Sequence, residues 1–195
     1  MQTVQRFGKN ELGKDYVVGD IHGCFTKLEM ELYVLGFDEN VDRLFCVGDL
    51  CDRGPESHLF MEWLDKPWFH SVKGNHEELL EGTLRRDAGY YQCHMGNGGT
   101  WVLDFLDTDW ECEAAIYLMD LPYIIEVETG NGLVGIIHAD TGLCYDWEKF
   151  KRGVEVDKPM YRDNCTWGRD HIKYKRTNIV EGITTIYAGH TPVDS

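Results

Sequence analysis

Short apolar runs alternate with amphipathic stretches through the first half of the chain. Residues 16–18, 44–47 and 69–72 are compact runs of the kind that make buried strands. Each leads into a turn bearing glycine and then into helical spacing. Leu28, Leu32 and Leu35 mark the first helix, and Leu59, Phe60, Trp63 and Leu64 the second; a third is predicted from about Glu77 to Arg86. Thr26 followed by Glu29 matches a capping box, Gly36 supplies a helix stop, and Pro55 suits a helix start. Three β-turn-α units in succession predict a layered α/β fold with a largely parallel sheet.

The pattern then changes. Residues 1–15 are polar and are expected to form an entry hairpin or a loose start. Residues 87–99 are rich in glycine and read as a loop, with short helical patterns at 100–105 and 111–119. The stretch 86–122 is expected to be a helical and loop cap inserted in one domain spanning 1–195. Residues 124–128 and 133–138 read as strands joined by Thr129-Gly130-Asn131-Gly132, a strong hairpin signal. They predict a second sheet, mixed or antiparallel. Residues 140–176 are charged and irregular, and a last strand is expected at 183–188.

Composition narrows the partners. A chain of 195 residues is long enough for one real core. Its net charge of −15 argues against nucleic acid and anionic membranes. An anionic substrate would therefore need local positive charge, which bound metal ions can supply. Seven cysteines without a C-x-x-C pair, no leader pattern and no membrane-length apolar run predict a reduced, cytoplasmic protein. Oligomeric state is not legible.

The turns carry the chemistry. They are Gly19-Asp20-Ile21-His22-Gly23, Gly48-Asp49-Leu50-Cys51-Asp52-Arg53-Gly54 and Gly74-Asn75-His76-Glu77, with His138 and His190 closing two later strands. Carboxylates, imidazoles and an amide oxygen, with no thiolate, suit Mn-, Fe- or Zn-type ions. They are too many for one tetrahedral ion, so two ions sharing Asp49 is the economical arrangement. Arg53 can fork onto phosphate oxygens, and His76, oriented by Asp52, can protonate a leaving oxygen.

These motifs, with His138-Ala139-Asp140 and Gly189-His190-Thr191, resemble the calcineurin-like metallophosphoesterase superfamily, nearest the bacteriophage lambda type of serine/threonine phosphatase. The resemblance implies a β-sandwich of two mixed sheets flanked by helices. It implies two divalent ions of the Mn2+ type, with Fe, Zn, Ni or Co as options. Asp20, His22 and Asp49 would hold the first, and Asp49, Asn75, His138 and His190 the second. His76 would be the general acid with Asp52 as its partner. Arg53, Asn75 and Arg169 would meet the phosphate, with Arg162 a weaker choice than Arg169.

The implied reaction is hydrolysis of phosphoserine and phosphothreonine on phosphoproteins or phosphopeptides, by direct attack of a metal-bound hydroxide. Two other readings stand beside it: a dinucleotide-polyphosphate (diadenosine tetraphosphate) hydrolase, and a catalytically impaired, metal-stabilised binding module. Tetraphosphate-cleaving relatives tend to carry another residue where this chain has Asp52. Relatives usually continue with further strands after the last histidine, so C-terminal strands are expected to be missing here. His58, His70, His94 and His171 read as ordinary histidines, with a substrate-rim place for His94 the exception to weigh. Tyr90, Tyr91, Trp101 and Trp110 read as packing, the acidic stretch 104–113 as a solvated face, and Cys51 as the thiol to watch for oxidation.

Overall fold

The computed structural model describes residues 3–193. Three strands, β2 (Asp15–Val18), β3 (Arg43–Cys46) and β4 (Phe69–Ser71), form one sheet, parallel throughout, with β3 in the centre. Register is what matters for function. Val18 pairs with Cys46, and Cys46 with Ser71, so the three carboxyl ends finish at one level. The three motif turns leave the sheet together from that edge.

A second sheet runs in the order β1 (Val4–Phe7), β5 (Ile124–Thr129), β6 (Gly132–Ile136) and β7 (Thr185–Tyr187). It is mixed: β5 and β6 form the expected antiparallel hairpin, while β1 and β7 run parallel to their neighbours. Ile136 pairs with Tyr187, which brings His138 and His190 off the same sheet end. Phe45, Val47 and Val72 from the first sheet pack on Ile125, Val127 and Ile136 from the second, a dry inner layer as in a sandwich. Burying such side chains supplies about 1.5–3 kcal/mol each.

Helices cover both outer faces. Helices α1 (Phe25–Leu35), α2 (Phe60–Leu64), α3 (Asn75–Leu84) and α5 (Asp109–Asp120) share one apolar cluster with the first sheet. Trp147, Phe150 and Val154 of α6 (Trp147–Glu155), with Cys165 of α7 (Pro159–Trp167), pack on the second. A short α8 (Asp170–Lys173) precedes β7. The α/β sandwich flanked by helices is the expected architecture.

Several local expectations give way. The polar start contains β1, because alternate residues of a strand can be polar when one face is solvated. The glycine-rich stretch is a helix, α4 (Ala88–Gly96). Asp87 caps it by accepting from the Gly89 and Tyr90 amides, at 2.9 and 3.1 Å. It lies against α3, where a Cβ on Gly82 would collide with the Tyr90 ring. The irregular region 140–176 holds three helices; Asp146 caps α6, and Pro159 opens α7 at a position where its missing N–H costs nothing. Thr26 makes no capping box with Glu29, since its amide and hydroxyl are both taken by Glu56. Gly36, by contrast, ends α1 in the left-handed conformation as expected.

Candidate metal and phosphate site

The turns from both sheets converge on Asp49. Its carboxylate is the shared member of two clusters whose ligand atoms lie within 4.8 Å of one another: His22, Asp49 and His76, and Asp49, His138 and His190. Asn75 joins the second, with Oδ1 at 2.9 Å from His138 Nε2 and 2.8 Å from His190 Nδ1. Asp20 belongs to neither cluster. Its two oxygens accept the His190 amide at 3.1 Å, so it holds the last histidine in place from across the sandwich.

The protonation pattern tests whether metal ions fit. The Val47 carbonyl can only accept, so His138 Nδ1 donates to it at 2.8 Å. Burial keeps that ring neutral by lowering its pKa, and Nε2 is left as a bare lone pair. It faces the Asn75 oxygen, and Asp49 Oδ1 at 3.4 Å. Likewise His22 Nδ1 meets the Cys51 carbonyl at 3.0 Å, turning its Nε2 inward. Burial, then the Glu77 and Asp20 carboxylates, push the Asp49 carboxyl well above the ordinary range. Lone pairs and crowded carboxylates aimed at one small volume are the chemistry of a cation site. The donors are oxygen and nitrogen only, which fits divalent ions of the Mn, Fe or Zn kind.

Two guanidiniums stand at the rim. Arg53 donates to His22 Nε2 at 2.6 Å and to His76 Nε2 at 2.9 Å. Arg169 Nε donates to His190 Nε2 at 3.1 Å. Neither has a carboxylate partner among the described residues. In a chain of net charge −15 this is a local reserve of positive charge. Arg162 lies elsewhere, paired with Asp157 at 2.7 Å and near Glu78.

His76 Nδ1 donates to Asp52 Oδ2 at 2.6 Å, and both residues are buried. Burial alone would raise the Asp52 carboxyl; bonds from His76, His94 and Trp101 reverse that and bring it to about 2. An ionised carboxylate therefore sits behind the imidazole, leaving Nε2 as the atom that faces the site.

The local backbone is strained to make this geometry. His22, Asp49, Asp52, Arg53 and His190 have φ of 46°, 53°, 71°, 69° and 64°, in the left-handed region. Such a conformation costs a non-glycine residue on the order of 1 kcal/mol. Gly48 and Gly74 allow the close approach: a Cβ on Gly48 would lie 2.7 Å from the Gly74 amide, and one on Gly74 would collide with Asp49.

Three residues support the site in ways the sequence reading does not assign to them. The Glu77 carboxylate accepts the amides of Gly74, Asp49 and Leu50, each at 2.8 Å, and of Cys51 at 3.4 Å. It is the peg that fixes the second turn to the third. Its signal was its place at the third position of a helix opened by Gly74, where a glutamate reaches back to free amides. His94, read as an ordinary or rim histidine, is fully buried against Asp52, and Trp101, read as packing, donates to the same carboxylate. Cys51 is no oxidation sensor: it is buried, and burial with the nearby Asp52 and Glu77 charges drives its thiol pKa well up.

The chain is similar to known proteins over most of its length. Residues 16–194 match the calcineurin-like phosphoesterase family. Serine/threonine-protein phosphatase 2 of Salmonella typhimurium LT2 is 35% identical over 185 residues, covering 92% of this chain and 80% of that protein. Serine/threonine-protein phosphatase 2 of Escherichia coli K12 is 42% identical over 146 residues, 72% of this chain and 63% of that protein. Among solved structures, a putative diadenosine tetraphosphatase superposes with a TM-score of 0.54 at 30% identity, over 72% of this chain and 56% of its own. With a family match running from the first motif turn past His190, this chain belongs to the calcineurin-like phosphoesterases.

Proposed function

We propose that this protein is a metal-dependent phosphatase acting on phosphoserine and phosphothreonine of proteins. Asp20, His22 and Asp49 would hold one divalent ion, and Asp49, Asn75, His138 and His190 the other; the donor set suits Mn, Fe or Zn, and the family resemblance favours Mn2+. When bound, such ions acidify water and neutralise charge on a phosphoryl group. The chain's own residues do the rest. Arg53 and Arg169, free of carboxylate partners among the described residues, turn to fork onto the phosphate oxygens, with the Asn75 amide beside them. With Arg53 turned from its Nε2 to the phosphate, His76 can carry a proton on Nε2 and give it to the departing serine or threonine oxygen. Asp52 holds Nδ1 and stabilises the charged ring.

The contact between His76 and Asp52 carries the reading. A buried, ionised carboxylate behind an imidazole is a device for proton delivery, and an alkoxide leaving group needs that proton. The similarity to phosphatases over about four-fifths of a relative's length supports it. Seven unpaired cysteines suit a reducing, cytoplasmic setting.

The likeness to a tetraphosphatase structure supports a second reading, cleavage of a dinucleotide polyphosphate. The test is direct. Protein loaded with Mn2+ is given a phosphoserine peptide, a phosphothreonine peptide and diadenosine tetraphosphate, each with a chelated control. Faster turnover of the peptides is expected. Preference for the dinucleotide reverses the assignment, and no turnover above the chelated control leaves the binding-module reading.

A further inference from the structure

Behind His76 lies a longer chain of contacts. Asp52 Oδ2 accepts only His76, at 2.6 Å. Asp52 Oδ1 accepts Trp101 Nε1 at 2.7 Å and meets His94 Nε2 at 2.9 Å. His94 Nδ1 lies 3.0 Å from the Thr83 hydroxyl. A carboxylate can only accept, so His94 donates from Nε2, while its Nδ1 is hydrogen-bonded to the hydroxyl. The series Thr83, His94, Asp52, His76 is hydrogen-bonded from end to end, and the whole of it is buried.

The segment that supplies His94 and Trp101 also grips the next residue. The Arg53 amide donates to the Gly98 carbonyl at 3.3 Å, and a Cβ on Gly98 would lie 3.0 Å from the Arg53 backbone. A Cβ on Gly99 would collide with the His94 ring. One element, α4 with the 3-10 turn Gly99–Asp104, therefore clasps Asp52 and Arg53 together. These are adjacent residues in the left-handed conformation, at φ of 71° and 69°. A strained pair persists only where its surroundings over-determine it.

We infer that His94 and Trp101 are positioning residues for proton delivery. They lock the Asp52 carboxylate so that one oxygen alone faces His76, in the line that aims His76 Nε2 at the leaving oxygen. This rests on the phosphatase reading, in which His76 is the acid. The plainer alternative is that His94 merely satisfies a buried charge. That predicts lost stability with no dependence on the leaving group.

The experiment compares His94→Ala, His94→Gln and Trp101→Phe with His76→Asn, on p-nitrophenyl phosphate and on a phosphoserine peptide. The nitrophenolate departs unaided, whereas the serine alkoxide needs the proton. For His94→Ala, kcat on the peptide is expected to fall on the order of 10- to 100-fold, against less than about 3-fold on the aryl ester. KM stays level. His94→Gln should recover most of the loss, since a carboxamide N–H can replace the ring donor. Trp101→Phe, which removes only one N–H, should show a smaller split in the same direction and carries the test if His94→Ala does not fold.

A second readout needs no turnover. The His76 Nδ1 proton should give a far-downfield NMR resonance in metal-free protein, absent in His76→Asn and displaced in Trp101→Phe and His94→Gln. Equal losses on both substrates, with the resonance unmoved, overturn the inference while the acid reading stands. If His76→Asn itself shows no leaving-group split, the acid reading fails and this inference with it.

Discussion

His138 Nε2 and Asn75 Oδ1 face each other at 2.9 Å, and both are acceptors. The bond from His138 Nδ1 to the Val47 carbonyl leaves no other tautomer. The His190 Nδ1 lies 2.8 Å from the Asn75 oxygen and 3.2 Å from His138 Nε2, and a cation held by these three atoms would make the cluster favourable. Divalent ions should therefore stabilise the fold as well as activate it. At 100 times Kd the gain is about 2.7 kcal/mol, or a Tm rise of about 5–10 °C for a domain this size. Thermal melts with Mn2+, with chelator and with His138→Ala check this; the variant should lose most of the metal-dependent rise.

Glu77 concentrates four amide bonds on one buried carboxylate. Glu77→Gln keeps the shape but points an N–H at backbone donors. Leaving such groups unpaired costs about 1–3 kcal/mol each. A stability loss of at least about 2 kcal/mol is expected in urea titration, together with weaker metal binding by calorimetry, because Asp49 rides on the turn Glu77 holds. Wild-type metal affinity in this variant would show that the peg is dispensable.

His70 lies between the Phe7 and Phe45 rings, at 4.4 and 5.3 Å, where the two sheets meet. Burial, and then the nearby Arg43 charge, bring its pKa from 6.5 down to about 4. The unfolded chain takes up this proton first as acid is added. Stability from His70 is therefore complete above pH 6.5, declines as pH falls toward 4, and is flat below. Allowing for partial solvent screening, the loss is about 1–2 kcal/mol. Replacing His70 with Phe should flatten the stability profile across that window, measured by urea midpoints from pH 7 to 4.

Thiol chemistry separates surface from core. Cys24, Cys93 and Cys112 are exposed, while Cys46, Cys51 and Cys165 are buried with their pKa values driven up by burial. Native protein treated with iodoacetamide should gain label at the first three within minutes. The other three should react only after denaturation, as peptide mass mapping would show. Fast labelling of Cys51 would mean that the Asp49 turn opens in solution.

Much of the site was legible before the structure because its chemistry is local. Glycine, ligand and strand end fall together within a few residues in each motif turn, and the ligand types alone point to metal. The three parallel strands were legible for the same reason. What escaped depends on partners distant in sequence. His94 is an ordinary-looking histidine until the fold brings it to Asp52, 42 residues away. Helix α4 hides behind its glycines, because packing on α3 and the Asp87 cap outweigh weak helix propensity. β1 carries no apolar run because only part of it is buried.

The left-handed backbone at His22, Asp49, Asp52, Arg53 and His190 has a consequence for descent. At each position glycine would relax the backbone, a gain opposed at Asp49 and Asp52 by the buried donors their carboxylates satisfy. A lineage that ceased to hydrolyse phosphate would be free to gain stability by drifting to glycine or asparagine at His22 and Arg53, whose side chains serve the site more than the core. Loss of function would then surface first at such positions, while the surrounding glycines and apolar strands still looked like an enzyme.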